Sequence, residues 1–176
     1  MKKNSVTLIA VAILFATLGV IWGNHRLNSR TSDVSVADKL FASSMKDTSG
    51  QLQNLSQWKN KALIVNFWAT WCAPCVQEMP ELSGLQLEKN KSIDFQIIGI
   101  GIDSAANIAE FASKYKISYP LYTGGIDASQ LSRELGNEAG GLPFTILIGR
   151  DGKVKKTYLG RIKMQDLRKD LTSLSG

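Results

Sequence analysis

The seven residues Ala62-Leu63-Ile64-Val65-Asn66-Phe67-Trp68 make an almost unbroken apolar run, and no other feature restricts the fold of this chain as much. A short run of this kind predicts a strand buried on both faces, which belongs in the interior of a sheet. Phe95 to Ile102 reads as a second buried strand, in which Gly99 and Gly101 let neighbouring backbone approach closely. Phe144 to Gly149 reads as a third. Between the strands the period changes. Val76, Met79, Leu82, Leu85 and Leu87 fall near helical spacing, and so do Ile108, Phe111, Ala112 and Tyr115, with Ser104 as a candidate N-cap. A short helix is expected near Ala128 to Leu135. Arg150-Asp151-Gly152-Lys153 carries the Asp-Gly signature of a hairpin turn leading to a last strand, Val154 to Leu159. Lys163 to Leu174 is amphipathic through Met164, Leu167, Leu171 and Leu174. Towards the N-terminus, Leu40-Phe41-Ala42 and Leu52-Gln53-Asn54-Leu55 flank Asp47-Thr48-Ser49-Gly50 and predict a small hairpin. Strands alternating with helices, then a hairpin and a helix, imply an α/β fold with a central mixed sheet covered on both faces.

The first strand runs directly into Trp71-Cys72-Ala73-Pro74-Cys75, which holds both cysteines of the chain. A Cys-x-x-Cys pair serves zinc, structure or redox chemistry. Structural zinc sites take four Cys or His ligands. Here no third cysteine exists, and the one histidine, His25, lies far away in the N-terminal segment. A copper site of two cysteines and a histidine fails for the same reason. A purely structural disulfide closing so short a loop constrains little of the unfolded chain. Redox chemistry remains, and the spacing suits it. At the first turn of a helix, Cys72 meets unpaired N–H groups and the positive end of the dipole, which stabilise the attacking thiolate. Cys75, one turn along, is placed to resolve a mixed disulfide. Pro74 fits the first helical turn, where a missing N–H costs nothing.

Composition narrows the partners. The 176 residues carry a net charge of +6, but four of the bases (Lys2, Lys3, Arg26 and Arg30) flank an uncharged apolar stretch from Ser5 to Gly23. Without them the remainder is close to neutral, so no nucleic-acid partner is implied. As a helix the stretch is about 28 Å long, close to the hydrocarbon thickness of a bilayer. Its exit, Ile21-Trp22-Gly23-Asn24-His25-Arg26, holds no small-residue cleavage site, which favours an uncleaved anchor over a signal peptide. The flanking charges barely favour a cytoplasmic N-terminus. Residues 28–37 are rich in Ser, Thr and Asp and read as a tether.

Two separated motifs resemble the TlpA/ResA/DsbE branch of thioredoxin-like proteins. One is Asn66-Phe67-Trp68-Ala69-Thr70-Trp71-Cys72-Ala73-Pro74-Cys75 with Glu78 and Pro80. The other is Gly141-Leu142-Pro143-Phe144-Thr145-Ile146-Leu147-Ile148, continuing to Asp151-Gly152. The resemblance spans roughly Val36 to Leu174. It implies a thioredoxin-like three-layer sandwich with an N-terminal β-hairpin extension over residues 38–176; residues 1–27 are read from their own apolar pattern as the membrane anchor or signal peptide. It implies a cis Pro143 opposing the dithiol and a Leu142 backbone offered to an extended substrate. Trp71, Pro74, Leu142 and Pro143 are the candidate substrate-binding residues, and Trp68 is assigned to the core. Cys72, Cys75 and Glu78 are the candidate catalytic groups, Glu78 as a half-buried acid exchanging protons at the dithiol. Asn66 departs from cytosolic thioredoxins, which carry a buried Asp there, and this puts more weight on Glu78. The basic cluster Lys153, Lys155, Lys156, Arg161 and Lys163 reads as a solvated hairpin face.

The expected function is a thiol–disulfide oxidoreductase working as a reductase of extracytoplasmic protein disulfides. Apocytochrome c cysteines and copper-site assembly proteins are targets the resemblance suggests. The expected partners are a protein thiol or disulfide and a membrane electron-donor protein, with the inner membrane engaged through residues 5–23 and the domain facing the periplasm. No cofactor or metal is expected beyond the dithiol. The alternatives are a general oxidase or isomerase of secreted proteins and a non-redox binding module for unfolded chains. A peroxidase is disfavoured, because such sites place a Thr three residues before the reactive cysteine, where this chain has Ala69.

Overall fold

All seven side chains of Ala62–Trp68 are buried, as two-sided coverage of the strand requires. The computed structural model describes residues 36–88 and 94–174. In chain order these form α1 (Val36–Ala42), β1 (Ser44–Asp47), β2 (Leu52–Asn54), a 3-10 turn (Leu55–Trp58) and β3 (Ala62–Trp68). There follow α2 (Ala73–Leu87), β4 (Phe95–Gly101), α3 (Ala105–Tyr115), β5 (Leu121–Thr123), α4 (Gly125–Glu134), β6 (Phe144–Ile148), β7 (Val154–Leu159) and α5 (Met164–Ser173). The strands make one sheet in the order β2-β1-β5-β4-β3-β6-β7. β3 and β4 are parallel, as are β4 and β5, while every other neighbouring pair is antiparallel. The central mixed sheet of the thioredoxin-like fold is thus present.

Strand alternation divides the core into two. Ile64 and Trp68 face α2, α3 and α5 through Met79, Leu82, Leu85, Ile108, Phe111, Leu167 and Leu171. Leu63, Val65 and Phe67 point the other way, towards Ala37, Leu40 and Phe41 of α1 and Ala128 and Leu131 of α4. Each fully buried apolar side chain of this size contributes about 1.5–3 kcal/mol, and β3 and β6 are buried at every position. Helices on both faces of the sheet make the three layers. Ser104 caps α3 by accepting from the Asn107 N–H, as its position suggested.

The N-terminal hairpin exists, but its first arm is displaced. It pairs Ser44 with Asn54 and Lys46 with Leu52, and β1 joins the sheet along β5. Leu40-Phe41-Ala42, expected in that arm, are the end of α1. One helical turn buries Ala37, Leu40 and Phe41 together, whereas a strand would have turned Leu40 and Phe41 to opposite faces. α1 also takes in Val36 and Ala37, the last two residues of the expected tether. The expected anchor and the rest of the tether lie outside the described residues. Among the described residues, no helix is long and apolar enough to cross a membrane. The helix expected from Ala128 starts earlier, at Gly125, whose φ of +53° suits glycine.

Candidate active site

β3 delivers the chain through Ala69 and Thr70 to the N-terminus of α2, where Cys72 is the capping residue. The loop is pinned from the neighbouring strand end: Thr70 donates its hydroxyl proton to Asp103 Oδ2, and its N–H reaches the same oxygen at 3.3 Å. Burial raises the pKa of Asp103, but hydrogen bonds from Thr70, Ser104 and Asn107 outweigh it and hold the carboxyl below its usual range. The Thr70 and Asp103 pair is a site element that sequence reasoning missed; an Asp ending a buried strand was its only signal.

Cys72 and Cys75 are joined as a disulfide. The Cys75 N–H donates to Cys72 Sγ at 3.3 Å, which is the helix-terminal contact that the spacing predicts. Both cysteines are buried, Cys72 at 6% exposure and Cys75 at 0%. Pro74 occupies the first turn of the helix. Trp71 stands out beside them at 69% exposure, while Trp68 is buried with its ring 4.7 Å from that of Phe111. The two tryptophans therefore divide as surface and core.

The antiparallel register places Phe144 opposite Phe67. The Leu142–Pro143 bond, which is cis, therefore enters β6 at the sheet end where β3 enters the dithiol loop. Leu142, half-buried, packs against the cluster that contains Cys72 and Cys75. Gly141 lies beneath Leu159 of the next strand, at a distance where an added Cβ would meet Leu159 Cδ1 at 3.1 Å.

Behind the dithiol, Glu78 is 0% exposed. It lies three residues after Cys75, on the same side of α2. Its Oε1 accepts from Asn66 Nδ2 at 2.9 Å, and its Oε2 accepts from the Ile162 N–H at 2.6 Å. Asn66 donates also to Thr145 Oγ1 at 2.9 Å, across the β3–β6 pair. Burial pushes the Glu78 pKa up to about 7, against the lowering effect of those hydrogen bonds and of Arg161. A carboxyl with this value changes charge near neutrality, so it can take up and release a proton under physiological conditions. Tyr119 lies close enough to feel that charge: burial first, then Glu78, push its phenol up.

Arg161 is exposed like its basic neighbours and reaches Glu81 and Gln77 of α2. Lys155 and Lys156 are likewise exposed and paired with Asp151 and Asp170. Among the described residues, no group of three or more His, Cys, Asp or Glu side chains is arranged to hold a metal ion.

The chain matches the family model described as Redoxin over residues 33–171. It is 28% identical to the thiol-disulfide oxidoreductase ResA of Geobacillus thermodenitrificans (strain NG80-2), over 99% of both chains. It is 30% identical to ResA of Bacillus thuringiensis subsp. konkukian, again over 99% of each. Among solved structures it is similar to a thiol:disulfide interchange protein of Chlorobium tepidum TLS. That TM-score is 0.66 at 26% identity, covering 76% of this chain and 93% of the other.

Proposed function

This chain belongs to the Redoxin family, among its ResA/DsbE-like thiol–disulfide oxidoreductases, and from that premise we propose that it reduces protein disulfides outside the cytoplasm. The observation that carries the reading is the Cys72–Cys75 disulfide at the N-terminus of α2, with the buried carboxyl of Glu78 one helical turn behind it. In the reduced enzyme, the Cys72 thiolate attacks one sulfur of a target disulfide. That S–S bond breaks, and the released target thiolate takes a proton. Cys75 then attacks the Cys72 sulfur of the mixed disulfide while its own proton passes to Glu78. The Cys72–Cys75 bond forms, the second target sulfur leaves as a thiolate and takes a proton from solvent, and two electrons have passed to the target. A dithiol donor must return those electrons, and a membrane electron-donor protein fits a catalyst held at the bilayer.

In this reading Trp71, Pro74, Leu142 and Pro143 line the place where the target chain lies. Trp71 supplies an exposed aromatic face, and the backbone at Leu142 pairs with an extended segment. Residues 5–23 anchor the chain in the inner membrane with the domain on the periplasmic side. Apocytochrome c cysteines and metal-site assembly proteins are the proposed target classes, and no nucleic acid or dissociable cofactor takes part. The Ala73-Pro74 dipeptide favours the reducing direction over a general oxidase or isomerase.

The test is capture of mixed disulfides in intact cells with Cys75→Ser, paired with Cys72→Ser as control. Extracytoplasmic cysteine-pair proteins are expected on the first variant and none on the second. Capture of cytosolic proteins alone overturns the localisation and the function. A dithiol reduction potential near about −120 mV, that of a strong oxidant, overturns the direction. Activity that survives Cys72→Ser would instead mark a binding module.

A further inference from the structure

Gly160, Arg161 and Ile162 leave β7 in succession, and each is tied to a different part of the site. The Gly160 N–H donates to the Pro143 carbonyl at 2.8 Å. Arg161 Nη2 donates to Glu81 Oε1 at 2.6 Å and its Nη1 to Gln77 Oε1 at 3.2 Å. The Ile162 N–H donates to the buried Glu78 carboxylate at 2.6 Å. Gln77 and Glu81 are four residues apart on α2 and have Glu78 between them in sequence, so the guanidinium spans the turn that carries the acid. Ile162 is itself buried. The three residues form one clasp across the cis-proline strand, the dithiol helix and the acid behind it.

We propose that Arg161 is a positioning residue for Glu78: its grip on Gln77 and Glu81 holds the Ile162 N–H against the carboxylate, and its charge favours the ionised form. This rests on the role given above to Glu78 as acceptor of the Cys75 proton. The other groups facing Glu78 do not supply that charge. From α2 come Cys75, which is the proton donor, and Glu81, whose charge opposes ionisation. β3 and β6 bring the neutral Asn66 and Thr145. Tyr119, ahead of β5, is held neutral by burial and by Glu78 itself. Arg161 is the cation that lowers the cost of a buried negative charge here. As a half-exposed ion pair with Glu81 it adds little to global stability. That difference separates the two roles.

The experiment follows the Glu78 side-chain carboxyl carbon by NMR through a pH titration of the oxidised full chain in detergent micelles. Arg161→Gln is expected to raise the midpoint by roughly 0.5–1 pH unit. Arg161→Lys keeps the charge but not the two-point grip, and is expected to recover part of the shift. The melting temperature should move by no more than about 3 °C in either variant. The pH profile of disulfide exchange should move in the same direction with KM unchanged. A Glu78 midpoint that Arg161→Gln leaves unmoved overturns the proposal, and so does an equal shift in Lys and Gln variants. Glu78→Gln tests the underlying role separately. If it leaves the exchange profile unaltered, the proton-acceptor role of Glu78 fails, and the carboxyl titration still decides what Arg161 does.

Discussion

A buried carboxyl such as Glu78 opposes the folding of the chain that carries it. In the unfolded chain it ionises at its ordinary value, 4.5, and in the native protein near 7. Between those values the native state binds more protons than the unfolded state, so stability falls as pH rises. The contribution is fully present below about pH 4.5 and lost as pH passes through 7, amounting to about 3 kcal/mol. Glu78→Gln is therefore expected to flatten the pH dependence of urea unfolding across that window and to gain relative stability above it. A parent-like slope in the variant would contradict this account. Glu78 was legible in the sequence because it stands where the resembling family carries an acid, three positions after the second cysteine. Its partners were not. Ile162 contributes a backbone N–H, which no side-chain pattern reveals, and Arg161 lies 80 residues from Glu81, masked by a run of lysines.

At the scale of elements, close approach at the active-site end of the sheet depends on missing side chains. Gly124, between β5 and α4, is the sharpest instance. A Cβ there would meet Ala128 Cβ at 2.3 Å and Ile100 Cγ2 at 2.9 Å. Ala128 has no rotamer to give, so the helix itself must shift. Gly124→Ala is expected to cost about 1–3 kcal/mol, read as a lowered denaturation midpoint with an unchanged m-value. The elements legible in the sequence were the unbroken apolar runs β3, β4 and β6, the helically periodic α2, α3 and α5, and β7, announced by the Asp151-Gly152 turn. α1, seven residues, and β5, three, are shorter than the window in which periodicity can be counted. α1 was misread as strand because Leu40-Phe41 carries no period of its own. The pairing of Asn66 with Thr145 joins β3 to β6 and so lies beyond any local reading.

Taken as a whole, the domain is held by two apolar layers on one sheet, and its disulfide has little to do with that. Cys72 and Cys75 are three residues apart, and closing so small a loop stabilises by about 2 kcal/mol at most. The reduced and oxidised forms are expected to unfold at closely similar urea concentrations, a few tenths of a molar to about one molar apart for a domain of this size. Complete unfolding on reduction would show that the bond is structural after all. The sheet's two outermost strands carry a separate consequence. A catalyst of disulfide exchange contacts protein thiols, and an unpaired strand of another protein can add to any open sheet margin. β2 offers only three residues for such growth, and β7 presents Lys155 and Lys156 along its length. Its margins thus discourage polymerisation with the same clients that its dithiol must touch.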